Sequence, residues 1–364
     1  MPRHTVPSEH GGNVFRLARR LGCDPSAILD CSSNSDSLVD HITARITASL
    51  AVPYARYPDP ASHALCARIA AHEGVDPANI LAGNGSSELI HLIFQELRPR
   101  ATCIVAPVFS EYGLACDRLG LAHRLHVLDE ATGFDLTPAD ADALAASTDD
   151  CIVLCVPNNP TGALYTALDA LLPRLAARTV IIDTTYREFL HGTPEYTLHR
   201  WTRYATAARP GTRVITLGSF TKYFFCTGIR LGWCVADPAV IERLAGARAP
   251  WTVWEYAERV GIAFLDAIDE YRAARHGFAN LMRELATGLE ATGAFSRVLT
   301  SRANFLTCKC ANPDGAQHLA DRLAQQRILV RVCDNIPGMP PGYIRVQVKS
   351  AAENRTLVRA IRKG

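Results

Sequence analysis

The sequence predicts an α/β protein in which a mostly parallel central sheet is covered by helices and is followed by a smaller α+β domain. From about residue 63 onward, helical patterns alternate with short apolar runs, at residues 101–105, 151–156, 179–183, 214–217 and 232–236. This alternation is typical of parallel strands that are joined by crossover helices. After residue 237 the pattern changes to helical stretches, at residues 239–248 and 256–292. Strand candidates then surround a helix near 315–326, at residues 303–310, 328–333 and 343–348.

This pattern divides the chain into three segments. Residues 1–40 form an N-terminal arm, with a helical stretch at 14–21 and a strand and loop at 28–34, that contributes to the substrate site and the small domain. Residues 41–245 form the large domain, and residues 246–364 form a connecting helix and the small C-terminal domain. Because interesting polar groups lie in the arm and in the C-terminal part, we expect a site between the two domains, where ligand clefts are common.

Composition favours a small-molecule enzyme of the cytoplasm. The 38 basic and 36 acidic residues nearly balance, which gives no sign of a nucleic-acid surface. The first residues lack the apolar core of a signal peptide, and no stretch approaches the length of a membrane span. The 12 cysteines are scattered and often lie inside apolar runs, which predicts reduced core thiols, with neither disulfides nor a metal site.

The most informative residue is Lys222, because other motifs supply what a reactive lysine needs. A desolvated lysine amine can form a Schiff base with an aldehyde cofactor, and such lysines are usually accompanied by an acid that pairs with a pyridine nitrogen. Asp183, at the end of the 179–183 strand, is the candidate acid. Asn159 and Tyr186 follow strand ends as well and could donate to a ring oxygen. Lys222, Asp183 and Tyr186 are therefore the predicted catalytic residues of a pyridoxal 5′-phosphate (PLP) site.

Two further segments supply groups for the cofactor phosphate. Gly85, Ser86 and Ser87 belong to a glycine turn that leads into a helical pattern, and a helix N-terminus offers free N–H groups and the positive end of a dipole. In the second segment Arg230 could bind the phosphate through a charge-assisted fork, and hydroxyl groups could add single hydrogen bonds, from Ser219 and Thr221.

Two other interpretations of these motifs are weaker. The glycine turn matches a dinucleotide fingerprint only as far as Gly83-x-Gly85, because Glu88 stands where the third glycine would be. The spacing Ser219-x-x-Lys222 also occurs in serine acyl-enzymes, but their Ser-Asp-Asn and Lys-Thr-Gly motifs do not accompany it.

In this order, and over nearly the whole chain, the motifs resemble those of the fold-type I PLP enzymes of the class I and II aminotransferase family. The resemblance implies that Phe109 stacks on the cofactor ring and that Tyr57 reaches the phosphate in the neighbouring subunit. It thereby implies a homodimer with shared active sites. It also implies that Arg345 binds the substrate α-carboxylate, a task suited to a planar bidentate donor.

Within that family the chain is most similar to the L-threonine O-3-phosphate decarboxylases of the cobalamin pathway, and then to the histidinol-phosphate aminotransferases. The arm motif with His10 and Gly11 carries much of this similarity, together with Arg331. The resemblance implies that His10 and Arg331 bind a substrate phosphate and that Gly11 and Asn34 line the substrate site. It predicts a PLP-dependent decarboxylase of a small L-α-amino acid, with an aminotransferase as the alternative. A non-catalytic PLP-binding sensor is a third class, although the chain has no room for a DNA-binding helix-turn-helix before the arm.

Two departures from that subgroup suggest another substrate. Asp36 stands where the subgroup usually has asparagine, and Trp254 and Glu255 stand beside the expected substrate side chain in place of another asparagine. Trp254 could hold a cation through a cation–π contact worth about 0.5–2 kcal/mol, helped by Asp36 or Glu255. A sulfonium amino acid such as S-methylmethionine is therefore an alternative to a phosphorylated one.

Overall fold

The computed structural model describes residues 11–196, 201–206, 211–312 and 315–362. Its strands, in chain order, are β1 (Leu29–Asp30), β2 (Ile80–Gly83), β3 (Thr102–Ala106), β4 (His123–Val127), β5 (Cys151–Cys155), β6 (Thr179–Asp183), β7 (Arg213–Ser219), β8 (Gly232–Val235), β9 (Phe295–Val298), β10 (Phe305–Cys310), β11 (Ile328–Leu329), β12 (Arg331–Val332) and β13 (Tyr343–Gln347). Its helices are α1 (Val14–Leu21), α2 (Asp40–Ala48), α3 (His63–Glu73), α4 (Gly85–Leu97), α5 (Glu111–Leu119), α6 (Pro138–Ala146), α7 (Leu168–Leu171), α8 (Thr202–Thr206), α9 (Phe220–Tyr223), α10 (Pro238–Ala247), α11 (Glu255–Asp266), α12 (Ile268–Ala274), α13 (Phe278–Glu290), α14 (Gly315–Gln325) and α15 (Ala351–Arg362).

Seven of the described strands form the central sheet, in the order β2-β8-β7-β6-β5-β3-β4. Strands β3 to β7 are parallel, whereas β8 is antiparallel to both of its neighbours. Alternate residues of β5 enter two different apolar cores, with Ile152 and Leu154 on one face and Val153 on the other. A sheet that is buried on both faces requires nearly continuous apolar strands, which is the pattern that the sequence shows. The predicted α/β class with a mostly parallel sheet is confirmed.

The predicted helical stretch at 256–292 is divided into α11, α12 and α13. Gly277 lies between the last two helices with a φ of 86°, a left-handed conformation that glycine adopts without strain. The division turns the chain, so that α11 packs on α3 and α13 packs on β9 and α15.

The second sheet is antiparallel and has the order β12-β13-β10-β9. The predicted strand at 328–333 is split, because β12 joins this sheet whereas β11 pairs with β1 of the arm. Leu29 lies opposite Ile328, and the carbonyl of Cys31 accepts from the amide of Gln347 at 2.8 Å. The arm is thus bound to the C-terminal part of the chain. The domain boundaries at residues 40 and 245 stay predictions.

Within the described ranges, no helix has both the length and the apolar character needed to cross a bilayer. All twelve cysteines lie in those ranges as free thiols, and Cys23 alone is not buried.

Candidate active site

A cavity opens where the carboxyl ends of the parallel strands meet the arm and the second sheet. Clefts between parts of a chain are common sites for small molecules and cofactors. Of the residues predicted from sequence, the structure brings eleven to its wall, namely Gly11, Asn34, Ser86, Phe109, Asn159, Asp183, Tyr186, Thr221, Lys222, Arg331 and Arg345.

The sheet register explains why residues distant in sequence meet here. Asp183 is the last residue of β6, and its Cα pairs with that of Cys155 in β5 and that of Leu217 in β7. Parallel strands end at the same edge of the sheet, so the loops that follow them carry their polar groups to one place. Ser219 ends β7, and the helix that bears Lys222 begins at the next residue.

Lys222 reaches across the cavity toward the arm. Its Nζ donates to the carbonyl oxygen of Ser33 at 2.8 Å. Desolvation, together with the positive charges of Arg345 and Arg230, lowers the pKa of Lys222 to about 8. A substantial fraction of the amine is therefore neutral near physiological pH, and the neutral form is the one that attacks an aldehyde.

Asp183 is buried, and its carboxylate is held by two donors. The amide of Thr185 donates to Oδ1 at 2.9 Å, and the phenol of Tyr112 donates to Oδ2 at 2.6 Å. Burial, with the Asp183 charge as the next cause, raises the pKa of Tyr112 well above its ordinary value, so the phenol keeps its proton and can only donate. The sequence motifs missed Tyr112, because a tyrosine in the first turn of a helix carries no signal of such a contact.

The groups predicted to bind a phosphate lie near the start of α4, where Gly85, Ser86 and Ser87 are the first three residues. Gly85 has a φ of 78°, and a Cβ there would lie 2.7 Å from Nη2 of Arg230. Only glycine lets the guanidinium approach the helix N-terminus so closely. On the neighbouring segment, the hydroxyl groups of Ser219 and Thr221 form a hydrogen bond of 2.8 Å.

Arg345 and Tyr186 form the opposite wall. Arg345 donates to the side-chain oxygen of Asn159 and, at 3.1 Å, to the carbonyl of Ser32. Since Asn159 uses its oxygen for this bond, its amide NH₂ is the part that could donate to a ring oxygen. Asn34 donates to the Tyr186 phenol at 3.2 Å, and burial raises the pKa of Tyr186 to about 12.

Arg331 lies directly beside Arg345. The two residues are Cα partners in the antiparallel pair β12–β13, so both side chains rise from one face of the sheet. Arg331 is anchored by bonds to the carbonyl of Val332 at 2.5 Å and the side chain of Asn335 at 2.6 Å. Burial, with Arg345 as the other cation nearby, lowers the pKa of Arg331. Two guanidinium groups side by side in a cavity wall form a site for anions.

Six described residues of the predicted set do not line the cavity. Four of them lie next to its wall, since Gly85 and Ser87 flank Ser86, Ser219 shares a hydrogen bond with Thr221, and Arg230 lies against Gly85. The other two are Tyr57 and Trp254. Tyr57 and Trp254 are 75% and 47% exposed, and Tyr57 stacks on Trp251 with ring centroids 4.5 Å apart. His10 lies outside the described residues. Of the two acids in the sulfonium alternative, Glu255 pairs with Arg259 at 2.8 Å, and Asp36 is fully buried against Arg275 at 2.6 Å.

Structural observations, in addition to the sequence motifs, indicate that the cavity fits PLP. Three of its lining residues have buried polar atoms without a hydrogen-bond partner among the described residues, namely Oδ1 of Asn34, Oγ1 of Thr185 and Nε of Arg345. A buried polar atom of this kind needs a partner, which a polar ligand would provide. The free amine, the acid and the helix N-terminus also match the aldehyde, ring nitrogen and phosphate of this cofactor.

The sheet order, the arm and the small antiparallel sheet define the fold of the fold-type I PLP enzymes. Residues 29–361 match the sequence model of the family "Aminotransferase class I and II". The chain therefore belongs to the class I and II aminotransferase family, whose members use PLP, in agreement with the predicted cofactor.

Relatives in this family are enzymes of two types, a decarboxylase and aminotransferases. The chain is 35% identical to the threonine-phosphate decarboxylase of Salmonella typhimurium over 363 residues, 98% of this chain and 96% of that protein. It is 30% identical to a histidinol-phosphate aminotransferase of Desulfitobacterium hafniense over 320 residues, 85% of this chain and 84% of that protein. The fold is also that of the L-threonine-O-3-phosphate decarboxylase from Porphyromonas gingivalis, with a TM-score of 0.79, 23% identity, and coverage of 92% of this chain and 99% of that one.

Proposed function

We propose that this protein is a PLP-dependent decarboxylase of a small L-α-amino acid whose side chain carries an anion, with threonine O-phosphate as the first substrate to test. The observation that carries the proposal is the pairing of Arg331 with Arg345 across β12 and β13. Like charges that face each other across two strands destabilise a sheet, so a ligand with two anionic groups would compensate for their repulsion. The full-length similarity to a threonine-phosphate decarboxylase supports the same substrate class.

The charge of the cavity wall also favours an anionic substrate. Three lining side chains are basic, namely Lys222, Arg331 and Arg345, whereas Asp183 is the one carboxylate among the described lining residues. Asp183 would pair with the ring nitrogen of the cofactor, so its charge would not be available to the substrate. A substrate with an α-carboxylate and a side-chain phosphate would place one anion on each arginine.

The residues would divide the work as follows. When bound, PLP supplies an aldehyde for amines and a ring that withdraws electrons from the bonds at the substrate Cα. The α-carboxylate would lie on Arg345 and the side-chain anion on Arg331. Phe109 would pack against the ring, and Asp183 would keep the ring nitrogen protonated. Lys222, in its protonated ammonium form, would give a proton to Cα after carbon dioxide leaves.

An aminotransferase would use the same residues in a different order. In that reaction Lys222 removes the Cα proton, and the carboxylate stays on the substrate. The similarity to histidinol-phosphate aminotransferases keeps this candidate open. The products separate the two reactions, because a decarboxylase releases carbon dioxide and an aminotransferase yields a 2-oxo acid.

The sulfonium alternative finds less support. Its proposed cation-binding groups are occupied or lie at the surface, since Asp36 is paired with Arg275, Glu255 with Arg259, and Trp254 packs on Tyr256 with centroids 5.1 Å apart. A sulfonium would also meet the two arginines of the cavity wall.

The deciding experiment incubates purified protein and PLP with threonine O-phosphate, glutamate or S-methylmethionine, each with pyruvate added as the amino-group acceptor. It measures carbon dioxide and the 2-oxo acid formed from each amino acid. We expect carbon dioxide from threonine O-phosphate, and no visible cofactor absorption band or product with Lys222→Ala. Lys309→Ala is the matched control, because Lys309 pairs with Glu130 away from the cavity lining and should leave activity unchanged. A 2-oxo acid without carbon dioxide would establish the aminotransferase, and turnover of S-methylmethionine alone would establish the sulfonium substrate.

We also propose a homodimer in which Tyr57 of one subunit completes the phosphate site of the other. The segment that carries Tyr57 presents large aromatic side chains to solvent in the single chain, with Tyr54 89% and Tyr57 75% exposed. Trp251 stacks on Tyr57 and is 44% exposed. An exposed group of aromatic residues is typical of a subunit interface.

A further inference from the structure

The segment that carries Lys222 is held by the arm through its backbone. Three consecutive carbonyl oxygens accept hydrogen bonds there. Thr221 accepts from the Ser35 hydroxyl at 3.2 Å, and Lys222 accepts from the Asp36 amide at 3.0 Å. Tyr223 accepts from the Arg275 guanidinium. The amine of Lys222 donates to the carbonyl of Ser33 in the same arm loop, so both the backbone of this segment and its reactive side chain are bonded to the arm.

Asp36 and Arg275 connect this arm loop to the lysine segment. Nε of Arg275 donates to Oδ2 of Asp36 at 2.6 Å, and the side chains of Arg275 and Asp36 are 8% and 0% exposed. The guanidinium carbon also lies 3.5 Å from the ring centroid of Tyr223. Arg275 therefore contacts both Asp36 of the arm and Tyr223, the residue after Lys222.

Stability alone is a weak reason for this pair. Burial raises the pKa of Asp36, although the charges of Arg275 and then Lys349 act in the opposite direction. The ion pair thus lies in a buried position where the charged form of Asp36 is disfavoured. Buried ion pairs often stabilise a fold no more than apolar residues would. Such a pair does fix geometry, because each partner has one orientation in which its bonds are satisfied.

We propose that Asp36 and Arg275 are positioning residues that set the place of the Lys222 amine in the cavity. Asp36 then has a different task from a substrate contact, since it is absent from the described cavity lining and acts through the lysine segment. The inference rests on the proposed function, because it gives Lys222 its importance. Its test measures the lysine itself and needs neither cofactor nor turnover.

The test is trace acetylation of the cofactor-free, full-length protein with acetic anhydride between pH 6 and pH 11. Mass spectrometry compares acetylation of Lys222 with that of Lys309, which lies outside the cavity lining and serves as internal reference. The variants are Asp36→Asn, which removes the charge, and Arg275→Lys, which keeps the charge but loses the fork. Glu270→Gln is the matched control, because Glu270 lies on the helix that precedes Arg275 and forms an exposed pair with Arg45 at 2.5 Å.

In the wild type we expect the acetylation rate of Lys222 to reach half of its maximum near pH 8, which is the Lys222 midpoint. Both variants should move that midpoint upward, because a loosened segment lets water reach the amine and stabilise its charge. A midpoint one pH unit higher leaves roughly one fifth as much neutral amine at pH 8. The control should behave as the wild type does.

Thermal unfolding of each variant separates positioning from simple stabilisation. A variant that melts earlier but keeps the wild-type Lys222 midpoint would overturn the inference. If Asp36→Asn does not fold, Arg275→Lys decides alone, because it retains an ion pair with Asp36. Failure of the proposed function would appear instead as no product in the substrate panel, with these midpoints unaffected.

Discussion

At the scale of single residues, Asp183 depends on a neighbour that the motifs do not reveal. The phenol of Tyr112 and the amide of Thr185 each donate to one of the two carboxylate oxygens. These two bonds fix the orientation of a carboxylate that lines the cavity. An acid that pairs with a ring nitrogen needs this fixed orientation, because a rotated carboxylate would lose the bond.

Replacing Tyr112 with phenylalanine should weaken PLP binding and lower kcat. Loss of a hydrogen bond to a buried charge costs about 1.5–3 kcal/mol, which corresponds to a change of roughly ten-fold to a hundred-fold. The measurements are the cofactor dissociation constant and the steady-state rate. Tyr196→Phe is the control, because its phenol donates to Glu188 at 3.1 Å outside the cavity lining. Equal effects of the two substitutions would show that Tyr112 acts through stability alone.

The pKa of Lys222 predicts a pH dependence for cofactor capture. Desolvation, Arg345 and Arg230 lower this pKa to about 8, so the neutral amine becomes the major form above that pH. The rate at which cofactor-free protein binds PLP should rise about ten-fold between pH 7 and pH 9 and then level off. Arg345→Gln should move the curve to higher pH, because it removes a positive charge near the amine. A rate that falls over this interval in the wild type would contradict the prediction.

Site residues were predictable where they follow a strand end or a glycine turn. Asp183, Asn159 and Lys222 are examples, because each follows an apolar strand and its place at the edge of the sheet can be inferred from neighbouring residues. Asp36 was not predictable in this way, since its partner Arg275 lies 239 positions away. Its carboxylate suggested a cation site, but nothing in the local sequence indicates that the structure buries it in an ion pair.

At the scale of secondary-structure elements, the pair β12–β13 carries the two arginines that we propose to bind anions. The two strands bring Arg331 and Arg345 together at a fixed register, which no flexible loop would do. The strands were visible in sequence as short apolar runs, but their register was not. Strand β4 was missed, because its alternating histidine, arginine and leucine residues lie at the exposed edge of the central sheet.

Replacing Arg331 with glutamine should separate stability from binding. In the ligand-free protein the free energy of unfolding should rise by about 0.2–1 kcal/mol, because like charges no longer face each other. The KM for threonine O-phosphate should rise at least ten-fold, since a charged hydrogen bond is lost. Denaturant unfolding and steady-state kinetics measure the two effects. Arg297 lies on β9 of the same sheet but outside the cavity lining. Arg297→Gln should therefore raise neither the free energy of unfolding nor the KM. An unchanged KM would remove Arg331 from the substrate site.

At the scale of the whole molecule, the proposed dimer makes each active site depend on two chains. Lys222 lies inside its own subunit, whereas Tyr57 points to solvent on the surface. A site of this kind cannot be complete in a monomer. The exposed aromatic residues were visible in sequence, but their exposure depends on the packing of the complete chain.

Mixing two inactive chains tests the shared site. Chains with Lys222→Ala and chains with Tyr57→Phe are unfolded and refolded together, then assayed at a PLP concentration that leaves the Tyr57→Phe dimer mostly empty. One site of each hybrid dimer would regain both residues, so about a quarter of the wild-type activity should return. The mixture without refolding is the control. No recovery in dimers confirmed by ultracentrifugation would place Tyr57 outside the partner's site.

The pairing of β1 with β11 has a consequence for synthesis. Leu29 pairs with Ile328, so the partner strand of the arm is made about 300 residues after the arm itself. At about 5–20 residues per second, this separation is tens of seconds. A nascent protein whose central sheet has already formed would therefore still lack the docked arm that contacts its reactive amine.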